Sequence, residues 1–299
     1  ASLITNNPFV HNIVNPDHFS TNDLPNTQYD LVINLDDAQI ACKIASQVKT
    51  KRLFGAYSRD GTRQYTSDSA KWFDMSLISC FSKEEADRKK KNNRRTYPSL
   101  LFEMLDIPMG KPYLTIPDKE LSFARSFAHS NISHDKPIIG LNTGAGPRWR
   151  YKQLSETRTV ILVNNLVQSL DSNVLLFGGP DEASRNRSII RSSNYKVIDT
   201  GNNNTLIEFC ALVGLCDLLI TSDSLALHVA AALGIPTIVF FGPTSADEIE
   251  LFSPGAKIVP EMDCICCYKH DCNFHPTCMD NISIQEITEN ARNIIYSTR

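Results

Sequence analysis

Residues 216–245 read CDLLITSDSLALHVAAALGIPTIVFFGPTS, and their order of strand, turn, helix, strand and loop decides the fold. Leu218, Leu219 and Ile220 form a short apolar run ending at Thr221. A run that short between polar breaks suits a strand buried on both faces. Asp223 and Ser224 follow at once, and either side chain is expected to cap the helix that begins there. Leu225, Val229, Ala232 and Leu233 then recur at helical spacing. Gly234-Ile235-Pro236 stops that helix, Thr237 to Phe241 is expected as a second buried strand, and Gly242-Pro243-Thr244-Ser245 forms the loop after it. Two such strands around one helix imply a parallel pair with a right-handed crossover. Ligands of such sheets bind at the carboxyl ends of the strands. Ser222-Asp223-Ser224 and Gly242 to Ser245 both lie at such ends. The helix start at Ser224 is also a ready anion site, because its free N–H groups point outward.

The same alternation continues upstream. Strands are expected over 137–141 and 174–177 with a strand end at 197–198, and helices over 155–170, 181–191 and from Thr205 onward; a closing helix is expected over 282–296. This pattern indicates a doubly wound α/β domain. The first part of the chain is less regular. A strand is expected over 29–35 with Asp36-Asp37 at its carboxyl end, then a helix over 38–48, a short strand at 51–55, loop over 58–75, and a helix over 97–105. Gly110, Pro112 and Pro117 mark the likeliest boundary by composition, giving an N-terminal domain over 1–117 and a C-terminal domain over 118–299.

The 299 residues suffice for two ordinary domains, and 42% hydrophobic with 21% charged residues is normal for a globular protein. A net charge of -3 argues against a general nucleic-acid binder. No apolar run approaches the roughly 20 residues that span a bilayer, and the start, ASLITNNPFV, lacks the pattern of a signal peptide. Cytoplasmic residence is the resulting expectation. The basic run Arg88, Lys89, Lys90, Lys91, Arg94 and Arg95 is either a solvated face or a patch that draws an anionic acceptor.

Several stretches can carry chemistry. Asn142-Thr143-Gly144-Ala145-Gly146 follows a strand and precedes Arg148, Arg150 and Lys152. Its glycines would let N–H groups approach an anion, with Lys and Arg supplying charge, although it is not a Walker loop. Gly178-Gly179-Pro180-Asp181-Glu182 ends the next strand. Its carboxylates either favour a helix start through the dipole or accept ribose hydroxyls. His228 sits one helical turn after Ser224, as a structural histidine or a ligand contact. Nine cysteines are present, five of them between Cys264 and Cys278. Cys264, Cys267, Cys272 and Cys278 could surround one metal ion, zinc being usual for four thiolates; the alternatives are reduced thiols or, in an oxidising compartment, disulfides.

NTGAG with RWRYK, VLLFGGPDE, NTLIEFCALVGLCDLLITSDS and LALHVAAALGIPTIVFFGPTS together resemble glycosyltransferase family 9, the ADP-heptose:lipopolysaccharide heptosyltransferases. CICCYKHDCNFHPTCM resembles a cysteine knuckle found in a subset of that family. The resemblance covers nearly all of 137–290 and continues more weakly upstream through NNPFV, YDLVINLDD and NRRTYPSLLFEML. It implies a GT-B fold, two Rossmann-like domains facing a cleft, and inverting transfer from a nucleotide sugar, ADP-heptose above all, without a catalytic metal. Thr143, Gly144, Lys152, Ser224 and the N–H of Leu225 would serve the donor diphosphate, Glu182 the ribose and Asp223 the sugar; His228 joins the donor-binding candidates by its place one turn after Ser224, not by the motif. Structural zinc or iron would sit at the cysteines. The acceptor would be lipopolysaccharide core or, in a variant, a protein, with peripheral contact at the inner membrane face; a non-catalytic nucleotide-sugar-binding protein is the alternative class. Two departures accompany the resemblance. The family's first strand and its Gly-Asp loop, which carries the proposed general base, are not seen, leaving Asp36 and Asp37 as the nameable replacements. Leu225 stands where the family commonly has Gly.

Overall fold

A computed structural model describes residues 3–14, 27–76, 82–133 and 135–297. The chain divides into two compact units. One comprises Ala1–His11, Lys111–Ala246 and Leu251–Arg299; the other comprises Asn12–Gly110 with Asp247–Glu250.

In the larger unit, six parallel strands are β4 (Ile138–Asn142), β5 (Asn173–Phe177), β6 (Ile198–Asp199), β7 (Leu218–Ser222), β8 (Thr237–Phe240) and β9 (Gly255–Ile258). Their order in the sheet is β6-β5-β4-β7-β8-β9. The helices are α5 (Asp118–Asn131), α6 (Glu156–Leu170), α7 (Ala183–Ser192), α8 (Leu206–Val213), α9 (Leu225–Leu233), α10 (Cys278–Asn281) and α11 (Ile284–Ser297). Successive strand residues point to opposite faces, and the core is sorted accordingly. Val174, Leu176, Leu218 and Ile220 pack with Leu162, Leu166 and Ile287 of α6 and α11. Leu175, Phe177 and Leu219 pack with Ala124, Cys210, Ala226 and Val229 of α5, α8 and α9. Both faces are covered, which is why these strands read as unbroken apolar runs.

The local signals explain the ends of the helices. Ser155 caps α6 by accepting from the Arg158 N–H, and Thr205 with Glu208 forms a reciprocal capping box on α8. Gly234, at φ 71°, closes α9 in the left-handed conformation that glycine adopts freely. The segment expected as one helix over 181–191 divides into a 3-10 turn, Pro180–Glu182, and α7. The closing helix expected over 282–296 is α11, preceded by the short α10. The sequence gives no warning of β9, since it is short and only Ile258 of its four residues is buried.

The smaller unit holds β1 (Tyr29–Asn34), α1 (Gln39–Gln47), β2 (Thr50–Arg59), β3 (Thr62–Tyr65), α2 (Ala70–Ser76), α3 (Lys83–Asn92) and α4 (Tyr97–Leu105). β1 pairs parallel with β2, and β2 pairs antiparallel with β3. The expectation of loop over 58–75 is corrected here. Asp60-Gly61, with both φ values positive, is the two-residue turn that joins a hairpin, and Phe73 is buried with its ring stacked 5.3 Å from that of Tyr65.

Burial pushes the Cys210 thiol up to about 11 from its ordinary 9.0. The folded chain therefore keeps a proton that the unfolded chain releases above pH 9. The associated stability is fully present below that pH and is lost as pH rises towards 11, at no more than about 1.4 kcal/mol per pH unit. Urea midpoints of the parent and Cys210→Ala should differ by a constant amount below pH 9 and converge between pH 9 and 11.

Candidate functional site

The sheet turns back on itself once. From β4 the chain runs outward through β5 and β6, then α8 carries it across to β7 on the other side of β4. Such a reversal opens a crevice at the strand ends. A cavity of about 490 Å³ lies there, within the range of a nucleotide-sized ligand. Its walls come from four successive strand exits: Asn142 and the Gly144–Gly146 loop at the end of β4, the Gly178–Pro180 turn and Glu182 after β5, Asn202 and Asn204 after β6 with Leu206 and Phe209 of α8, and Ser224 to Ala226 after β7.

Asn142 ties two of these exits together. Its amide Nδ2 lies 2.8 Å from the Gly144 carbonyl, 3.1 Å from Thr221 Oγ1 and 3.2 Å from Ser224 Oγ. Ser224 occupies the N-cap position of α9, yet its hydroxyl is turned to Asn142 and Thr221, and no side chain caps the helix. The expected cap from Asp223 or Ser224 is thus not made. The opening N–H groups of α9 remain at the cavity wall, where the helix dipole favours an anion. Glu182 is buried and accepts the Gly179 N–H at 2.9 Å. Gly144 gives that carboxylate its room, since a Cβ there would stand 2.9 Å from Glu182 Cδ. Across the cavity, the amide Nδ2 of Asn202 is buried with no hydrogen-bond partner among the described residues. A ligand acceptor would satisfy it.

Lys152 and Asp223 stand beside this cavity rather than in its lining. Lys152 ends a 3-10 segment, Pro147–Lys152, that is kinked at Trp149. Its amine meets Asp223 Oδ2 at 2.7 Å and the Asp223 carbonyl at 3.2 Å, and lies 4.8 Å from the centre of the Trp149 ring. Thr244 donates to the same Oδ2 at 2.8 Å. The side chains of the pair are only 10% and 17% exposed, so each charge depends on the other for compensation.

Of the eight expected donor residues, Gly144, Glu182, Ser224 and Leu225 meet in the cavity wall. Lys152 and Asp223 pair next to it. The Thr143 hydroxyl is committed inward, to Asn186 Oδ1 at 2.6 Å and the Phe177 carbonyl at 3.0 Å. His228 is exposed on α9 and is not part of the lining. Asn142 and Thr244 belong to loops that the sequence marks at strand ends, although neither stands among the expected donor residues; Asn202, Asn204 and Phe209 are not expected at the site. Position directly after a strand was the available signal for Asn142; Phe209 reads as an ordinary core position of α8.

In the smaller unit, Asp36 and Asp37 line an open cavity of about 610 Å³ at the end of β1, together with Asn34 and Trp72. The Asp36 carboxylate accepts the Ala38 N–H at 2.8 Å, and Asp37 faces Arg63 at 3.8 Å. The basic run is largely answered by carboxylates: Arg88 by Glu85, Lys89 by Asp74, Arg94 by Asp247 and Arg95 by Glu103. Such pairing weakens it as an attractor of anions.

Cys264, Cys267, Cys272 and Cys278 line one cavity of about 100 Å³. Burial, followed by the neighbouring cysteines, pushes the Cys278 thiol up to about 11. Among the described residues, no group of three or more Cys, His, Asp or Glu side chains is gathered at metal-binding geometry. Also among the described residues, no helix is long and apolar enough to cross a membrane.

A doubly covered parallel sheet with a polar cavity at its reversal point places the protein in the α/β class, and its structural neighbours are GT-B glycosyltransferases. The sequence matches the model of glycosyltransferase family 9 (heptosyltransferase) over residues 21–277, and the chain belongs to that family. It is 28% identical over 193 residues to lipooligosaccharide heptosyltransferase 2 of Campylobacter jejuni, covering 60% of this chain and 58% of that protein. The chain spans about half the length of the curated relatives it matches. Its fold is similar to that of a family 9 glycosyl transferase from Veillonella parvula, with a TM-score of 0.66 and 16% identity over 91% of this chain and 75% of the other. It is also similar to Escherichia coli ADP-heptose lps heptosyltransferase II, with a TM-score of 0.60 and 18% identity over 90% and 77%.

Replacing Asp223 by Ala leaves the Lys152 amine buried without its counter-charge. Breaking a buried pair from one side costs about 3–5 kcal/mol. Urea unfolding should register a loss of that order, and a smaller loss when Lys152→Met is added to Asp223→Ala.

Proposed function

We propose that the chain carries the donor site of a heptosyltransferase that moves heptose from ADP-heptose to lipopolysaccharide core with inversion at the anomeric carbon. The observation that carries this assignment is the uncapped start of α9 facing a cavity of about 490 Å³ whose lining also holds Glu182 and the Gly144–Gly146 loop. The diphosphate lies against the Leu225 and Ala226 N–H groups and the glycine loop. Glu182 accepts the ribose hydroxyls, and the unpartnered Asn202 amide and the Phe209 ring face the base. Asp223 releases Lys152 to the diphosphate and turns to the sugar.

The chemistry is one displacement. A carboxylate takes the acceptor hydroxyl proton, the sugar passes through an oxocarbenium-like state, and the nucleoside diphosphate departs with its charge answered by Lys152 and the α9 N-terminus. Asp36 and Asp37 are the carboxylates proposed as base. Asp37 suits the role better, because Asp36 already accepts the Ala38 N–H. The Trp72 wall beside them offers the aromatic surface that saccharides favour.

The four cysteines are proposed to hold a structural zinc or iron ion. All four line one cavity, although they do not stand at metal-binding geometry there; drawn in around an ion they would cross-link the segment and take no part in transfer. Elemental analysis of the purified protein should find about one metal ion per chain, lost together with thermal stability when all four are changed to Ser.

Calorimetric titration with ADP, UDP, GDP and ADP-heptose tests the donor assignment. ADP and ADP-heptose should bind, and Lys152→Ala should weaken both by about 10-fold or more, the value of a charge-assisted contact. Preference for UDP or GDP would change the sugar class; binding that is indifferent to Lys152→Ala would sink the assigned role of that amine.

A further inference from the structure

The Lys152–Asp223 pair is held from a segment outside the sheet. Asp223 leaves β7, but the Thr244 hydroxyl that fixes its carboxylate comes from the loop after β8. Thr244 and Ser245 are both about 6% exposed, so this loop is pinned rather than free. The segment that pins it is the cysteine-rich stretch. The Cys266 N–H donates to the Gly242 carbonyl at 3.0 Å and the Tyr268 N–H to the Pro243 carbonyl at 2.8 Å. The Tyr268 hydroxyl then accepts the Ser245 N–H at 3.3 Å. Tyr268 therefore grips the backbone on each side of Thr244.

Two further features mark this grip as specifically built. Cys266 and Tyr268 have φ of 61° and 51°, a left-handed conformation that bulky residues rarely adopt and that surrounding contacts must enforce. Gly242 carries no Cβ where one would stand 2.4 Å from Cys278 Sγ, so the loop lies directly on the cysteine segment. The same segment reaches the other partner of the pair. The His270 ring lies 4.3 Å from that of Trp149, whose face receives the Lys152 amine.

We propose that Tyr268 is a positioning residue for the Lys152–Asp223 pair, acting through Thr244. Its hydroxyl and main-chain N–H hold the Pro243–Ser245 loop so that Thr244 keeps the Asp223 carboxylate turned to Lys152. The consequence for ligand binding rests on the donor assignment above; the consequence for the Lys152 amine does not.

Tyr268→Phe removes only the hydroxyl and keeps the ring and the N–H. Two measurements test the proposal on the full chain: the acetylation rate of Lys152 by an N-hydroxysuccinimide ester without ligand, read by peptide mass spectrometry, and the Kd for ADP. Loss of about one hydrogen bond loosens Asp223 from the amine, and should speed acetylation and tighten ADP binding each by about fivefold, because the diphosphate then has a weaker competitor for Lys152. In a Thr244→Val background the same change should add nothing, because both substitutions break one relay. An unaltered acetylation rate, or a full and additive effect in the Thr244→Val background, would overturn the proposal. If the parent binds no ADP, the donor assignment fails, and the acetylation cycle alone decides the role of Tyr268.

Discussion

A parallel sheet covered by helices on both faces can offer polar groups to a ligand only where its strands end. That constraint governs the larger unit. With Leu175, Leu176, Leu218, Leu219 and Ile220 all sealed between helices, the reactive surface is confined to the loops beyond Asn142, Phe177, Asp199 and Ser222. The reversal between β4 and β7 parts those loops and makes one cavity instead of a ridge. The buried amide of Asn142 then sets the spacing of the two central exits. The sheet supplies position, and the loops supply charge.

The neighbouring segments add a second layer of constraint. Glycine is required where two structures must lie closer than a side chain allows: at Gly144 against Glu182, and at Gly242 against Cys278. In the smaller unit the corresponding economy is the Asp60-Gly61 turn, which lets β3 return along β2 and places Tyr65 over Phe73.

Much of this was legible in the sequence, and the exceptions share a physical reason. The central strands and α4, α6, α8 and α9 announce themselves through short apolar runs, capping residues and terminal glycines. The hairpin over β2 and β3 was missed because TRQY is polar and partly exposed, although the Asp-Gly pair that forms its turn stood in plain view. Glycine loops and strand-end polar residues mark Gly144, Glu182, Ser224 and Leu225 in the sequence, and these four line the cavity. Pairings across long separations left no local trace. Lys152 and Asp223 are 71 residues apart, and nothing near either one names the other. Thr143 shows the same limit from the other side, a motif residue whose hydroxyl serves the sheet interior.

The Lys152–Asp223 pair also means that the resting site carries its own counter-ion. An approaching anion meets an amine whose charge is already answered at 2.7 Å, and must displace a carboxylate tethered to the same fold. A small monoanion brings no more charge than Asp223 and far less effective concentration. A diphosphate brings more charge and additional contacts to the helix start. On the donor reading proposed above, electrical competition would then favour a diphosphate over the simple salts around it, since only the former exceeds the charge of the internal carboxylate.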